Sequence, residues 1–334
     1  MSKNDDILLF SLSNSHQLAN KIANLLKIEL SPIRIDKFAD GELIVAPQVP
    51  VRGRRVIIIQ STSKPVNDSL MELLIAIDSI KRASAKAISV VIPYYGYARQ
   101  DRKAKPREPI TARLVAKMIE SAGATSVLTW DIHSLQTQGF FDIPFDSLEA
   151  VWVLMKHYFS AYKDSSNITI VSPDYGGVKR AREISIATGA TLAIVDKRRS
   201  GKNQVEINNV LGDVKDRDCV IVDDMIDTGG TILGAAKIVR EKGAKSITII
   251  ATHGLFNNNA RQHFQQAIKD RIINKICIAD TIENEPFDGL EIVSIAPAIA
   301  KCIEIYSEGT GSMSFVHDEN SKVLFAKNIL NKNE

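Results

Sequence analysis

The stretch Val220-Ile221-Val222-Asp223-Asp224-Met225-Ile226-Asp227-Thr228-Gly229-Gly230-Thr231 joins three kinds of chemistry in one short run. An apolar, β-branched start ends in two carboxylates, and a Gly-Gly turn then opens a segment of helical periodicity. Glycines let backbone N–H groups converge on an anion, and a helix N-terminus adds the positive end of its dipole. With the hydroxyls of Thr228 and Thr231, this forms a phosphate cradle. Asp223 and Asp224 cannot serve a phosphate, because like charge repels. They are placed to accept hydrogen bonds from vicinal sugar hydroxyls or to hold a divalent cation. A phosphate at one end and diol acceptors at the other describe a pentose 5-phosphate. The plainer reading, in which Asp227 and Thr228 only cap a helix, leaves the Asp-Asp pair unexplained.

Three further segments carry charge in a useful place. Pro93-Tyr94-Tyr95-Gly96-Tyr97-Ala98-Arg99-Gln100-Asp101-Arg102-Lys103 directly follows a predicted strand, and five of the nine residues from Arg99 to Arg107 are basic. Arginine pairs bidentately with phosphate oxygens, so a nucleotide polyphosphate is the sharper reading and a solvated charged turn the alternative. Asp131-Ile132-His133 and Val171-Ser172-Pro173-Asp174 each end an apolar run. An imidazole and a carboxylate at neighbouring strand ends can share a divalent ion, directly or through water. Asp196-Lys197-Arg198-Arg199-Ser200-Gly201-Lys202-Asn203 combines charge and glycine with no apolar anchor. It predicts a mobile loop able to close over transferring phosphates, with an exposed hairpin tip as the alternative.

These segments need strands and helices to hold them. Continuous β-branched runs at 56–59, 88–92, 168–171, 220–222 and 247–250 read as parallel strands covered on both faces. Between them, residues 68–82 carry apolar side chains at 70, 73, 74, 77 and 80, one helical stripe, and 231–242 repeats the pattern with Ile232, Ala235, Ala236 and Val239. Strand–helix–strand repetition predicts a doubly wound α/β architecture. The unit from 55 to 92 parallels the one from 219 to 251, down to Ala85-Lys86 and Ala244-Lys245 before the second strand. Two related domains meeting near residue 150 follow. Their loops differ: Ser61-Thr62-Ser63-Lys64-Pro65 in the first, acidic and glycine-rich in the second.

Composition excludes much else. The 334 residues hold 45% hydrophobic and 24% charged side chains, as an ordinary folded protein does. Lys and Arg number 42 against 39 Asp and Glu, a net +3 that argues against a nucleic-acid binder. Cys219, Cys277 and Cys302 have no CxxC spacing and read as reduced thiols of a cytoplasmic protein. No apolar run approaches the ~18 residues of a membrane span, and the N-terminus lacks the pattern of a signal peptide.

With these motifs in view, nearly the whole chain resembles the ribose-phosphate diphosphokinases (phosphoribosyl-diphosphate synthetases) of the hexameric, phosphate-activated class. The resemblance rests on Phe38-Ala39-Asp40-Gly41-Glu42, Gln60-Ser61-Thr62-Ser63, Lys81 to Lys86 and Pro93 to Lys103. It continues through Gly139 to Pro144, Ser172-Pro173-Asp174, Lys197-Arg198-Arg199 and Asp223 to Thr231. It implies an α/β fold of two related type I phosphoribosyltransferase-like domains, each a mainly parallel sheet flanked by helices. These span residues 1–149 and 150–315, followed by a tail at 316–334. The implied reaction moves the diphosphoryl group of ATP to the anomeric hydroxyl of ribose 5-phosphate, giving 5-phospho-α-D-ribose 1-diphosphate and AMP.

Carried over by matching position, the resemblance gives ribose 5-phosphate to Arg199, Asp223, Asp224, Asp227, Thr228, Gly229, Gly230 and Thr231. Arg99 and Gln100 hold ATP, with Phe38, Asp40, Gly41 and Glu42 at its adenine end across a subunit interface. His133 and Asp174 match the Mg²⁺ positions, and Lys197 and Arg199 the catalytic loop. A homohexamer is implied, with a phosphate or ADP effector near Arg52, Ser84 and 312–314. A catalytically silent regulatory subunit and a phosphoribosyltransferase are the competing readings. The chain departs from the family pattern at Tyr175, Ser200, Asn257-Asn258-Asn259 and the tail.

Overall fold

Each of the β-branched runs forms a strand, and each strand draws a helix over the sheet. The computed structural model describes residues 7–162, 165–198, 207–308 and 313. By its internal packing the chain divides into two units. Of the described residues, the first holds those within Met1–Glu149, Asp280–Glu283 and Ser294–Val316, and the second those within Ala150–Ala279 and Asn284–Val293.

The first unit contains β1 (Ile7–Ser11), α1 (His16–Leu26), β2 (Ile33–Lys37), β3 (Leu43–Pro47), β4 (Arg55–Ile59) and α2 (Val66–Arg82). It continues with β5 (Ala87–Ile92), α3 (Thr111–Ala122), β6 (Ser126–Trp130) and β7 (Phe145–Leu148). Its main sheet has the order β1-β4-β5-β6-β7, every pair parallel, while β2 and β3 form a separate antiparallel hairpin. The stripe expected on α2 is the buried one: Leu70, Leu73, Ile77 and Ile80 join Ile58, Val90 and Ile119 in one core. Each such side chain contributes about 1.5–3 kcal/mol on burial.

The second unit holds α4 (Val151–Phe159), β8 (Ile168–Ser172), α5 (Val178–Thr188), β9 (Thr191–Arg198), β10 (Ile207–Leu211), β11 (Asp218–Ile226) and α6 (Gly230–Glu241). It is completed by β12 (Ser246–Gly254), α7 (Ala260–Lys269), β13 (Lys275–Ala279) and β14 (Leu290–Val293). The sheet order is β10-β9-β8-β11-β12-β13-β14, parallel except for the β9–β10 edge pair. The chain moves from β8 outward to β9 and then returns to the other side of β8 as β11. That reversal opens a crevice at the strands' C-terminal ends, where open α/β sheets bind ligands. The first unit's sheet runs in chain order without such a reversal.

A division at residue 149/150 assigns the last helix, α8 (Ala296–Glu308), to the second domain. In the structure α8 packs on α1 of the first unit. Ile299, Cys302 and Ile303 are buried, and the Arg55 guanidinium donates to the Tyr306 carbonyl at 2.9 Å. The Tyr306 hydroxyl donates to Asp146 at 2.8 Å. Apolar helix faces carry no address in sequence, so this return was not legible there. Among the described residues no helix is long and apolar enough to cross a membrane.

Candidate active site

The acidic, glycine-rich loop lies at the reversal of the second sheet. β11 pairs with β8 from Asp218↔Ile168 to Ile221↔Val171, and with β12 on to Ile226↔Gly254. Asp223 and Asp224 therefore stand just past the last β8 pairing, at the mouth of the crevice. Asp223 Oδ1 accepts the Asp224 backbone N–H at 2.9 Å. The Arg180 guanidinium, from the first turn of α5, lies 3.6 Å from Asp223 and 3.5 Å from Asp224. Burial, then the adjoining Asp224 carboxyl, pushes Asp223 up to about 8 against the opposing pull of Arg180. Near neutral pH the pair thus holds a proton.

Past the carboxylates the chain turns sharply. Gly229 has φ +79°, and a Cβ there would sit 2.5 Å from the ring of Phe264, so both the conformation and the space demand glycine. Gly229 is also the residue that caps α6, and no side chain makes a capping bond. Capping by Asp227 or Thr228 is therefore not what fixes these residue types. Asp227 instead accepts from Asn257 Nδ2 at 2.7 Å, and its carbonyl accepts the Asn257 N–H at 3.1 Å. Asn257, one of the departures from the family pattern, braces the loop from the end of β12. Thr228, Gly230 and Thr231 are exposed at the start of α6.

Asp174 follows β8, next to β11. Its carboxylate accepts the Gly177 N–H at 3.1 Å, and Ser172 Oγ donates to its carbonyl at 2.7 Å. This turn starts α5 and aims its first residues at the crevice. Tyr175 is exposed beside it. Lys197 lies in β9, its backbone opposite Asn208 of β10; its side chain and all of Arg199 and Ser200 lie outside the described residues.

In the first unit, Arg99 and Gln100 are exposed in the turn after β5. Gln100 Oε1 accepts the Thr111 hydroxyl at 2.5 Å, and the Gln100 carbonyl accepts the Ala112 N–H at 3.2 Å. The Ser-Thr loop after β4 buttresses this turn: Thr62 Oγ1 accepts the Gly96 N–H at 2.7 Å, and Ser61 Oγ accepts the Tyr94 N–H at 3.1 Å. Where the second unit carries acids and glycines, the first carries hydroxyls that hold a neighbouring loop. Asp101 accepts from Ser134 Oγ at 2.7 Å, which ties the Arg99 turn to the His133 turn. His133 is exposed after β6. β6 and β8 belong to different sheets, so His133 and Asp174 do not end neighbouring strands as the spacing suggested. Sheet membership changes at the unit boundary between them, and spacing does not report it.

Phe38, Asp40, Gly41 and Glu42 form the exposed tip of the β2–β3 hairpin. Phe38 and Glu42 are joined by a backbone bond of 2.8 Å, Gly41 has φ +97°, and Asp40 accepts the Glu42 N–H at 3.1 Å. This is the turn that Asp-Gly predicts. Sequence reasoning missed Arg180, which sits in no recognisable motif, and singled out Asn257 only as a departure from the family pattern, not for its bond to Asp227.

Comparison with known proteins decides what this arrangement belongs to. The family model for the N-terminal domain of ribose phosphate pyrophosphokinase matches residues 7–123, and that for the phosphoribosyl transferase domain matches residues 147–286. The chain belongs to the ribose-phosphate pyrophosphokinase family. It is 47% identical over 306 residues to the ribose-phosphate pyrophosphokinase of Mycoplasma pneumoniae, covering 91% of this chain and 93% of that one. Ribose-phosphate pyrophosphokinase 2 of Enterococcus faecalis is 46% identical, covering 89% and 91%. The crystal structure of phosphoribosylpyrophosphate synthetase from Mycobacterium smegmatis superposes with a TM-score of 0.85 at 38% identity, covering 92% of this chain and all of that one. The family's two-domain α/β fold is the one described above.

Proposed function

We infer that this chain is a ribose-phosphate pyrophosphokinase. It moves the diphosphoryl group of ATP to the anomeric hydroxyl of ribose 5-phosphate, giving 5-phospho-α-D-ribose 1-diphosphate and AMP. The observation that carries this reading is the pairing of two carboxylates with a glycine-opened helix at the chain reversal of the second sheet. That pairing stands within a chain related to pyrophosphokinases over nine-tenths of its length.

In this reading Asp223 and Asp224 accept the ribose hydroxyls, and the 227–231 turn takes the 5-phosphate. Two acids and an anion cradle on one loop fix the sugar's direction, which leaves its anomeric end free. Arg99 and Gln100 hold the ATP phosphates. Phe38, Asp40, Gly41 and Glu42 serve the adenine end of an ATP bound to a neighbouring subunit; their exposure at the hairpin tip supports that role. The anomeric oxygen attacks the β-phosphorus, its bond to the AMP oxygen breaks, and the attacking hydroxyl loses its proton. Lys197 and Arg199 neutralise the charge that develops on the transferring and leaving groups. Such positioning and electrostatic stabilisation are the main contributions available to a protein in phosphoryl transfer.

Mg²⁺ is the ion this reading calls for. Among the described residues no cluster of three or more His, Cys, Asp or Glu could enclose a metal. Mg²⁺ is usually held by few protein ligands together with substrate phosphates. In this reading Asp174, exposed after β8, offers it a carboxylate, and His133, exposed after β6, offers an imidazole. When bound, the ion screens the polyphosphate and polarises the transferring group.

The working protein is a cytoplasmic homohexamer in this reading, with phosphate or ADP as effector. The three buried free thiols support a reducing setting. Arg52, bonded to Ser84 Oγ at 3.0 Å, supports an anion effector there; residues 312 and 314 lie outside the described residues. The test is product identity: AMP appears only with ribose 5-phosphate, and ribose without its phosphate is not a substrate. Release of ADP would reject the assignment.

A further inference from the structure

Arg180 is held where a sequence motif would not look for it. It is the third residue of α5, and the turn before that helix is fixed by Asp174, Ser172 and Gly177. A Cβ on Gly177 would meet Ser172 Oγ at 2.9 Å, so the turn has no slack. Ala181 and Ile184 bury the helix against the sheet, which leaves Arg180 facing the end of β11. One guanidinium nitrogen then stands 3.6 Å and 3.5 Å from the two aspartates. The three side chains are 26%, 22% and 8% exposed, so water screens this contact only in part. Adjacent carboxylates repel unless a proton or a cation stands between them.

We propose that Arg180 is a positioning residue that fixes Asp223 and Asp224 as hydrogen-bond acceptors for the ribose hydroxyls. The proposal rests on reading this loop as the ribose 5-phosphate site. Arg180 acts through the acids and is not itself a phosphate ligand. Among the described residues, charged or titratable groups on the elements around this end of the sheet include Asp174 after β8, Lys179, Arg182 and Glu183 on α5, Asp196 on β9, Asp227 before α6 and His253 on β12. The opposing positive charge on Asp223 comes from Arg180.

The test is steady-state kinetics of the full-length protein with ATP, Mg²⁺ and ribose 5-phosphate from pH 6 to 9.5. Arg180→Gln should raise the KM for ribose 5-phosphate about tenfold, leave that for ATP unchanged, and move the kcat/KM profile to higher pH by about one unit. Arg180→Lys, which keeps the charge and guards against a folding defect, should restore most of both. A wild-type profile in Arg180→Gln, or a Lys variant as impaired as the Gln variant, would overturn the proposal. A raised KM with an unmoved profile would make Arg180 a direct ligand and would also overturn it. Asp224→Asn separates the two levels. If it too leaves the ribose 5-phosphate KM unchanged, the loop reading fails with the proposal; if it alone raises that KM, only the proposal fails.

Discussion

Asp223 sits in conflict between burial and charge, and the conflict is measurable. Its folded pKa, pushed up to about 8, exceeds that of an unfolded Asp. The folded state therefore binds the extra proton, and stability falls as pH rises from the ordinary carboxylate range to about 8. Asp223→Asn should raise the melting temperature of the unliganded protein by a few degrees at pH 8.5, about 2–6 °C, with the gain shrinking towards pH 5. Substrate binding runs the other way, because acceptors are needed. The wild-type KM for ribose 5-phosphate should fall about tenfold from pH 7 to 9, and the Asn variant should lose that slope. Lys197→Ala makes a different statement: turnover should drop about 10²–10³-fold with the KM for ATP within about twofold. Unchanged turnover would remove the catalytic loop from the mechanism. At this scale the acids, threonines and glycines of the 223–231 loop were legible, because their types in that order have few other uses. Arg180 was not, since only the fold brings a residue of α5 to the end of β11.

Among elements, the loop between β11 and α6 depends on two glycines for different reasons. Gly229 combines a left-handed backbone with contact to Phe264, so Gly229→Ala should cost about 2–4 kcal/mol in urea unfolding. Gly230 has nothing within 4 Å of a Cβ. Gly230→Ala should leave stability within about 0.5 kcal/mol while raising the KM for ribose 5-phosphate, if its bareness serves the ligand. Equal destabilisation by both would contradict the packing account. The β-branched runs became β4, β5, β8, β11 and β12 because a covered parallel strand needs an uninterrupted apolar stretch. The charged segment beginning at Asp196 enters from β9, which pairs antiparallel with β10; Asn208 and Asn209 interrupt the apolar residues Ile207, Val210 and Leu211 and hid β10 from a hydrophobic reading. The metal pair was read as neighbours because both residues end apolar runs, and spacing does not say which sheet a strand joins.

For the whole molecule, the duplication seen in sequence is real in form: β4–α2–β5 and β11–α6–β12 are both parallel units of adjacent strands. What divides them is the chain reversal beside β11, which the first unit's sheet lacks. The exposed hairpin tip makes a prediction about assembly. Phe38→Ala and Asp224→Ala should each be nearly inactive alone, yet a mixture exchanged at low protein concentration should regain activity. Complementary sites are then rebuilt between subunits. Absence of recovery in mixed oligomers confirmed by mass would place the hairpin's function within its own subunit.

The most direct test of the central claim is phosphorus NMR of the full-length protein incubated with ATP, Mg²⁺ and ribose 5-phosphate. Transfer of an intact diphosphoryl group predicts a new pair of coupled diphosphate resonances on the sugar, accumulating with AMP in equal amount. ADP together with a singly phosphorylated C1 would contradict it.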